Sequence, residues 1–178
     1  MSGAADVHSA PHIPNSAFDV PPPPWNLRGA AMVLPQGIVR ALALVHYEAS
    51  PVGPYDELAV IALTRRGPSV VEMQVTSEAA MNGGRRIWGY PKRLAPLRWQ
   101  QRGQRVLFSA GKKCWRLRPW GPSLPLRIRS WTAQVLDGHL VRVPVRLRGR
   151  VRMGWNGRRI ALLVESMEMT VLPAQKMG

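Results

Sequence analysis

A chain of 178 residues, 46% of them hydrophobic, is about one ordinary domain and can bury a core without disulfides or metals. Its single cysteine, Cys114, excludes an intrachain disulfide, and with no close His/Cys cluster a metal site would have to rely on four scattered histidines and ten carboxylates. No apolar run approaches the roughly 18 residues of a membrane span. The net charge of +15 is almost all arginine and sits between Arg98 and Arg159, where Asp137 is the sole acid.

Residues 1–24 carry turn-rich clusters and end in four prolines, Pro21 to Pro24, which reads as a flexible Pro-rich tail before a single domain over 25–178. The tail has neither a basic n-region nor an apolar h-region, so a cytoplasmic address is the default expectation. From Ile38 to Ala49 the segment is strand-like with little polar alternation, and SPVGPYD turns it into ELAVIALTRR, a buried hairpin. SVVEMQVTSE is a further strand. In SEAAMNGGRRIW one or two helical turns are expected before Gly83-Gly84 stops them.

Further strands follow around Gly111, and then the pairs Asp137-Gly138 and Asn156-Gly157 separate runs of alternating residues, a strong hairpin signal. Eight or so short strands and no long amphipathic helix predict a mainly β protein, an antiparallel sheet or barrel with few short helices. The run Val141 to Arg148 puts arginines on one strand face and aliphatics on the other. With Trp115, Trp120, Trp131 and Trp155 nearby, that face has the charge and stacking surface of a single-stranded nucleic-acid site. A solvated or subunit-facing sheet explains the same pattern and is preferred, so nucleic acid is not the expected partner.

Nucleophile elbows, Walker loops, dinucleotide-binding glycine motifs and zincin motifs are all missing from the sequence. What remains is Tyr90-Pro91-Lys92-Arg93. Pro91 fixes its own φ and keeps Tyr90 extended, which aims Lys92, and the apolar neighbours Trp88, Tyr90 and Leu94 with the cation Arg93 disfavour the ammonium form. An amine so placed is a candidate nucleophile.

GGRRIWGYPKRL resembles the segment of the acetoacetate decarboxylase family in which a Gly-Arg pair precedes Tyr-Pro-Lys and the lysine forms an imine with substrate. WNLRG is similar to the family's N-terminal strand with a substrate-orienting arginine, here Arg28. PYDE is similar to the Tyr-x-Glu segment whose glutamate faces the lysine, here Glu57. EMQVTSEAA is similar to the strand leading to the lysine, with Met73 lining the pocket and Glu78 at its end.

The resemblance spans about Trp25 to Leu94 and implies a cone-like antiparallel β-barrel. It further implies catalysis by Lys92, Glu57 and Arg28, a pocket that includes Met73, Tyr90, Trp88 and Arg93, no cofactor and no metal, and a homo-oligomer. The chain departs from the pattern in three places. Arg93 replaces a second lysine, Arg86 stands where a glutamate commonly follows, and Leu42 stands where the decarboxylase type has a second strand glutamate. The implied activity is a lysine-imine lyase on a small keto acid. It would decarboxylate a β-keto acid such as acetoacetate, or condense and dehydrate a 2-oxo acid such as pyruvate. A non-catalytic ligand-binding barrel and a basic nucleic-acid-binding β-protein are the readings from other classes.

Overall fold

The computed structural model describes residues 20–177. Eleven strands and one helix follow in the order β1 (Trp25–Pro35), β2 (Arg40–Ala49), β3 (Tyr55–Thr64), β4 (Gly67–Val75), α1 (Glu78–Trp88), β5 (Lys92–Leu94), β6 (Leu97–Arg102), β7 (Arg105–Ala110), β8 (Lys113–Leu136), β9 (His139–Trp155), β10 (Ile160–Val171) and β11 (Gln175–Lys176). They form one sheet in the order β5-β4-β3-β2-β1-β10-β9-β8-β7-β6, with β11 beside β9. All pairings are antiparallel except that of β4 with β5.

The mainly β expectation holds, but the sheet is not closed by hydrogen bonds, because no ladder joins the β5-β4 end to β8. The sheet instead curls until the middle of β8 lies against β4 and the end of α1. There the Trp131 ring covers Gly67 (φ +102), and Gly89 (φ +69) passes so close to the Val135 carbonyl that any Cβ would collide with it. That seam is made by side chains and bare backbone, where a barrel would have a ladder.

β1 to β3 are apolar with little alternation because both faces of this part of the sheet are covered. On the concave face Trp25, Leu27, Ala31, Val45, Tyr47, Tyr55, Val75, Val143 and Val164 form one core. On the convex face Met32, Leu42, Leu44, Leu58, Val60 and Leu163 pack under Leu97, Val106, Phe108 and Leu117 from the smaller β6-β7-β8 hairpins, making a second core. Further along, the concave face runs out into solvent as a cross-strand row of Val33, Leu162, Met153 and Trp120, of which the last three are exposed.

The turns follow their sequence signals. Asp137 (φ 50) and Gly138 (φ 78) both take positive φ, as a two-residue turn joining β8 and β9 requires. Asn156 opens the β9-β10 loop with its side-chain oxygen accepting from the backbone of Arg158 and Arg159. On the long β8-β9 hairpin the predicted alternation is present. Val141 and Val143 are buried while Arg142, Arg146 and Arg148 are exposed, and Arg148 and Arg146 stand opposite Arg127 and Arg129.

Two expectations are corrected by packing. Helix α1 does not stop at Gly83-Gly84 but runs through them to Trp88. It is capped by the Ser77 hydroxyl, which accepts from Ala80 N at 3.2 Å, and by left-handed Gly89, whose N–H donates to the Arg85 carbonyl at 3.0 Å. The glycines are there for close approach: a Cβ on Gly83 would meet the Trp25 ring and Val20 at 2.6 Å. The folded domain also begins before Trp25, because Val20 is buried in the concave core and the Pro21 carbonyl accepts from Trp25 Nε1 at 2.8 Å. The rest of the expected tail, residues 1–19, lies outside the described residues. No helix among the described residues is long and apolar enough to cross a membrane.

Candidate active site

Strand periodicity builds the site. On β3 a spacing of two puts Tyr55, Glu57, Ala59 and Ile61 on the concave face, while Asp56 between them faces out to His46 and to the Trp99 backbone. On β2 the same rule brings Ala43, Val45 and Tyr47 to the concave face, opposite Ala59, Glu57 and Tyr55 of β3. Met73 of β4 lies beside Ala59 on one side and Lys92 of β5 on the other.

Lys92 is not in a loop: it is the first residue of β5. Pro91 makes the tight approach to it, with Lys92 N donating to the Tyr90 carbonyl at 2.8 Å, and the Arg85 guanidinium ties the end of α1 to the Lys92 carbonyl at 2.6 Å.

These strands enclose a cavity of about 280 Å³, at the base of which Lys92 Nζ donates to Glu57 Oε2 at 2.8 Å. Both side chains are buried, with 5% and 6% exposure. The other carboxylate oxygen, Glu57 Oε1, accepts from the Tyr47 hydroxyl at 3.1 Å, and Nζ stands 5.3 Å from the centre of the Tyr55 ring. Tyr90 closes the side of the cavity, its hydroxyl 3.3 Å from Thr132 Oγ1.

Burial, reinforced by the Glu57 carboxylate, holds the phenols of Tyr47 and Tyr55 well above their usual range. Burial also pushes Tyr90 up to about 12 against a partial offset from Thr132. All three rings therefore stay neutral hydrogen-bond donors at any physiological pH. Lys92 and Glu57 are the only charged side chains among the described residues that line the cavity, and its other walls are overwhelmingly apolar.

Lys92, Glu57, Met73 and Tyr90 of the expected site are thus brought together, and three others are not. Arg28 is exposed on the convex side of β1, opposite Glu168 of β10, because Leu27 takes the concave position next to it and consecutive strand residues face opposite ways. It cannot orient a substrate held by Lys92. Arg93, one residue past Lys92, faces outward for the same reason and pairs with Glu72 at 2.5 Å. The second cation expected beside the amine is therefore engaged elsewhere. Trp88 is buried behind the site, its ring edge-on to Trp25 at 5.0 Å and its Nε1 donating to the Leu172 carbonyl at 2.8 Å, so it supports the wall without lining it.

Two of the departures also acquire positions. Leu42 packs in the convex core, on the opposite face of β2 from the cavity, so it leaves no gap in the pocket. Arg86 is exposed, with its guanidinium 3.4 Å from the Val20 carbonyl, and its charge does not enter the pocket.

Two residues that shape this candidate site escaped the sequence reading. Tyr47 belongs to the site through its hydrogen bond to Glu57, and the signal for it was its parity with Ala43 and Val45 on β2. Gly84 is the other. The Lys92 stem lies across it, and a Cβ there would meet Lys92 Cδ at 2.5 Å and Cε at 2.6 Å. The double glycine is a slot for the lysine side chain and for the Trp25 ring next to it.

No family model matches the sequence, and no curated protein matches it significantly. Among solved structures, the fold matches acetoacetate decarboxylase from Legionella pneumophila subsp. pneumophila str. Philadelphia 1. Its TM-score is 0.65 at 13% identity, covering 100% of this chain and 98% of that one. A second acetoacetate decarboxylase structure matches with a TM-score of 0.57 at 13% identity, over 89% of this chain and 91% of the other. The chain has the acetoacetate decarboxylase-like fold.

Proposed function

We propose that the protein is a lysine-imine lyase in which Lys92 is the nucleophile and Glu57 its proton partner, acting on a β-keto acid. The observation that carries this reading is the Lys92–Glu57 pair, 2.8 Å apart at the base of an otherwise apolar cavity. The acetoacetate decarboxylase-like fold supports it.

In the proposed cycle Nζ gives a proton to Glu57 and attacks the ketone carbon. The carbonyl oxygen leaves as water, and a protonated imine remains. The bond to the carboxyl carbon then breaks with its electrons flowing into the iminium, carbon dioxide leaves, and the enamine takes a proton at carbon. Water hydrolyses the imine, returning the amine and a ketone.

No arginine is needed for this. The iminium is the counter-charge of the substrate carboxylate, and an apolar wall favours a step that disperses that charge. Tyr47 holds Glu57 by one oxygen and leaves the other for the amine.

The test is borohydride reduction in the presence of acetoacetate, followed by peptide mass analysis. The sequence has only four lysines, Lys92, Lys112, Lys113 and Lys176, so the site of addition is readily assigned. One substrate-derived mass on Lys92, lost in Lys92→Arg because a guanidinium cannot give up its proton, is the expected result. Labelling confined to the other three lysines, or no label, rejects the reading. Carbon dioxide release from acetoacetate, against condensation of pyruvate with an aldehyde, then decides between the two reactions open to the same imine.

A further inference from the structure

The cavity is larger and more apolar than a four-carbon keto acid requires. An apolar cavity of roughly 150 Å³ holds a benzene molecule. A molecule the size of acetoacetate, about as large as benzene, would therefore fill roughly half of the 280 Å³ here.

Both charges stand together at the buried end, and away from them the walls are mostly hydrocarbon, with Ser130 and Thr132 of β8 the small polar residues among them. Along β3 the wall runs from Glu57 through Ala59 to Ile61, four steps along the strand or roughly 13 Å. Beside it lie Ala43, Val33, Val70 and Leu147. Val33 and Ile61 are half-buried, so this is the open end, and Val33 continues into the exposed row of Leu162, Met153 and Trp120. Because Arg28 and Arg93 face the other way, nothing cationic besides Lys92 is within the described cavity to select for a second acidic group.

We infer that the substrate is a β-keto acid bearing an aliphatic tail of several carbons, with its ketone carbon at Lys92 and its tail along Ala43, Ala59, Ile61 and Val33 toward the mouth. This rests on Lys92 as the imine-forming residue and adds what selects the substrate. Recognition comes from burial of the tail, and the carboxylate is held only by the imine it is about to leave.

The experiment is borohydride trapping on Lys92 across a series of β-keto acids from acetoacetate upward, one methylene at a time. The 2-alkanones with the same tails are run in parallel. The concentration for half-maximal labelling should fall about fourfold for each added methylene until the cavity is full, in both series. Ala43→Phe, which puts a ring into the tail channel, should remove that gain, read as the ratio of long-chain to short-chain labelling within each protein. Circular dichroism and thermal melting show whether the variant has folded, and Ile61→Ser, which makes the channel polar without filling it, should reduce the same ratio.

Labelling of Lys92 by acetoacetate with no dependence on tail length overturns the tail assignment and leaves the imine chemistry standing. A ratio unchanged in both folded variants overturns the tail assignment equally. No labelling by any member of either series removes the imine reading and the tail assignment with it.

Discussion

At the scale of single residues, Lys92 and Glu57 depend on each other for stability as well as for the proposed chemistry. A buried ion pair whose one member is removed leaves an unmatched charge in a low-dielectric site, at a cost of about 3–5 kcal/mol. Lys92→Ala should therefore lower the unfolding free energy by about that amount as well as abolish labelling. The double variant Lys92→Met with Glu57→Gln, apolar and neutral in nearly the same volume, should recover much of it. Urea unfolding of both checks this, and a Lys92→Ala protein as stable as the parent would mean that the pair is solvated in a way its 5% and 6% exposures do not allow. The sequence identified both residues, because Tyr-Pro-Lys and Tyr-x-Glu are local patterns. It misassigned Arg28 and Arg93 because a resemblance in sequence carries no parity, and one step along a strand is the difference between the cavity and solvent.

At the scale of elements, α1 shows a local rule giving way to a tertiary requirement. Gly83-Gly84 reads as a helix stop from propensity alone. Yet the helix continues through both, because only a residue without a Cβ lets Trp25 and the Lys92 stem lie against its axis. Gly84→Ala should consequently separate folding from function. Alanine gains about 1 kcal/mol of helix propensity, which offsets the displacement of the buried Lys92 stem it pushes against. Shifting Nζ by about an ångström, however, costs on the order of a hundredfold in rate. The expected outcome is a folded protein with a melting temperature near or somewhat below that of the parent and imine formation slowed about a hundredfold, measured by single-turnover trapping. The strands and hairpin turns were legible because alternation and Asp-Gly or Asn-Gly pairs are short-range signals. The second core was not. The small β6-β7-β8 hairpins cover the convex face by a return of the chain that no local pattern encodes, and the unbroken apolar run of β2 was its only trace.

At the scale of the whole molecule, the three tyrosines of the chain all line one cavity, and this couples the site to alkaline stability. Each has its phenol held above the ordinary value of 10.0, Tyr90 at about 12. The folded state therefore keeps protons that the unfolded chain releases above pH 10. The stabilisation from the neutral phenols is complete below that pH and is lost as pH rises toward 12 and beyond. With three such groups the slope reaches about 4 kcal/mol per pH unit, comparable with the whole stability of a domain. The protein should unfold cooperatively between pH 10 and 12, with tyrosinate absorbance and loss of β-sheet circular dichroism appearing together. Tyrosinate formed well before unfolding would show that the cavity admits water freely.

The unpaired seam between β4 and β8 bears on how that cavity is reached. The neighbouring strands of the other walls are joined by hydrogen-bonded ladders, interrupted only by bulges, so parting them would break backbone hydrogen bonds. Along the seam Trp131 rests on Gly67, Tyr90 meets Thr132, and Gly89 abuts the Val135 carbonyl, with no ladder joining the two strands. Of the walls, this is the one whose parting would break no backbone ladder, only the packing of Trp131, Tyr90 and Thr132 and the close approach of Gly89 to the β8 backbone.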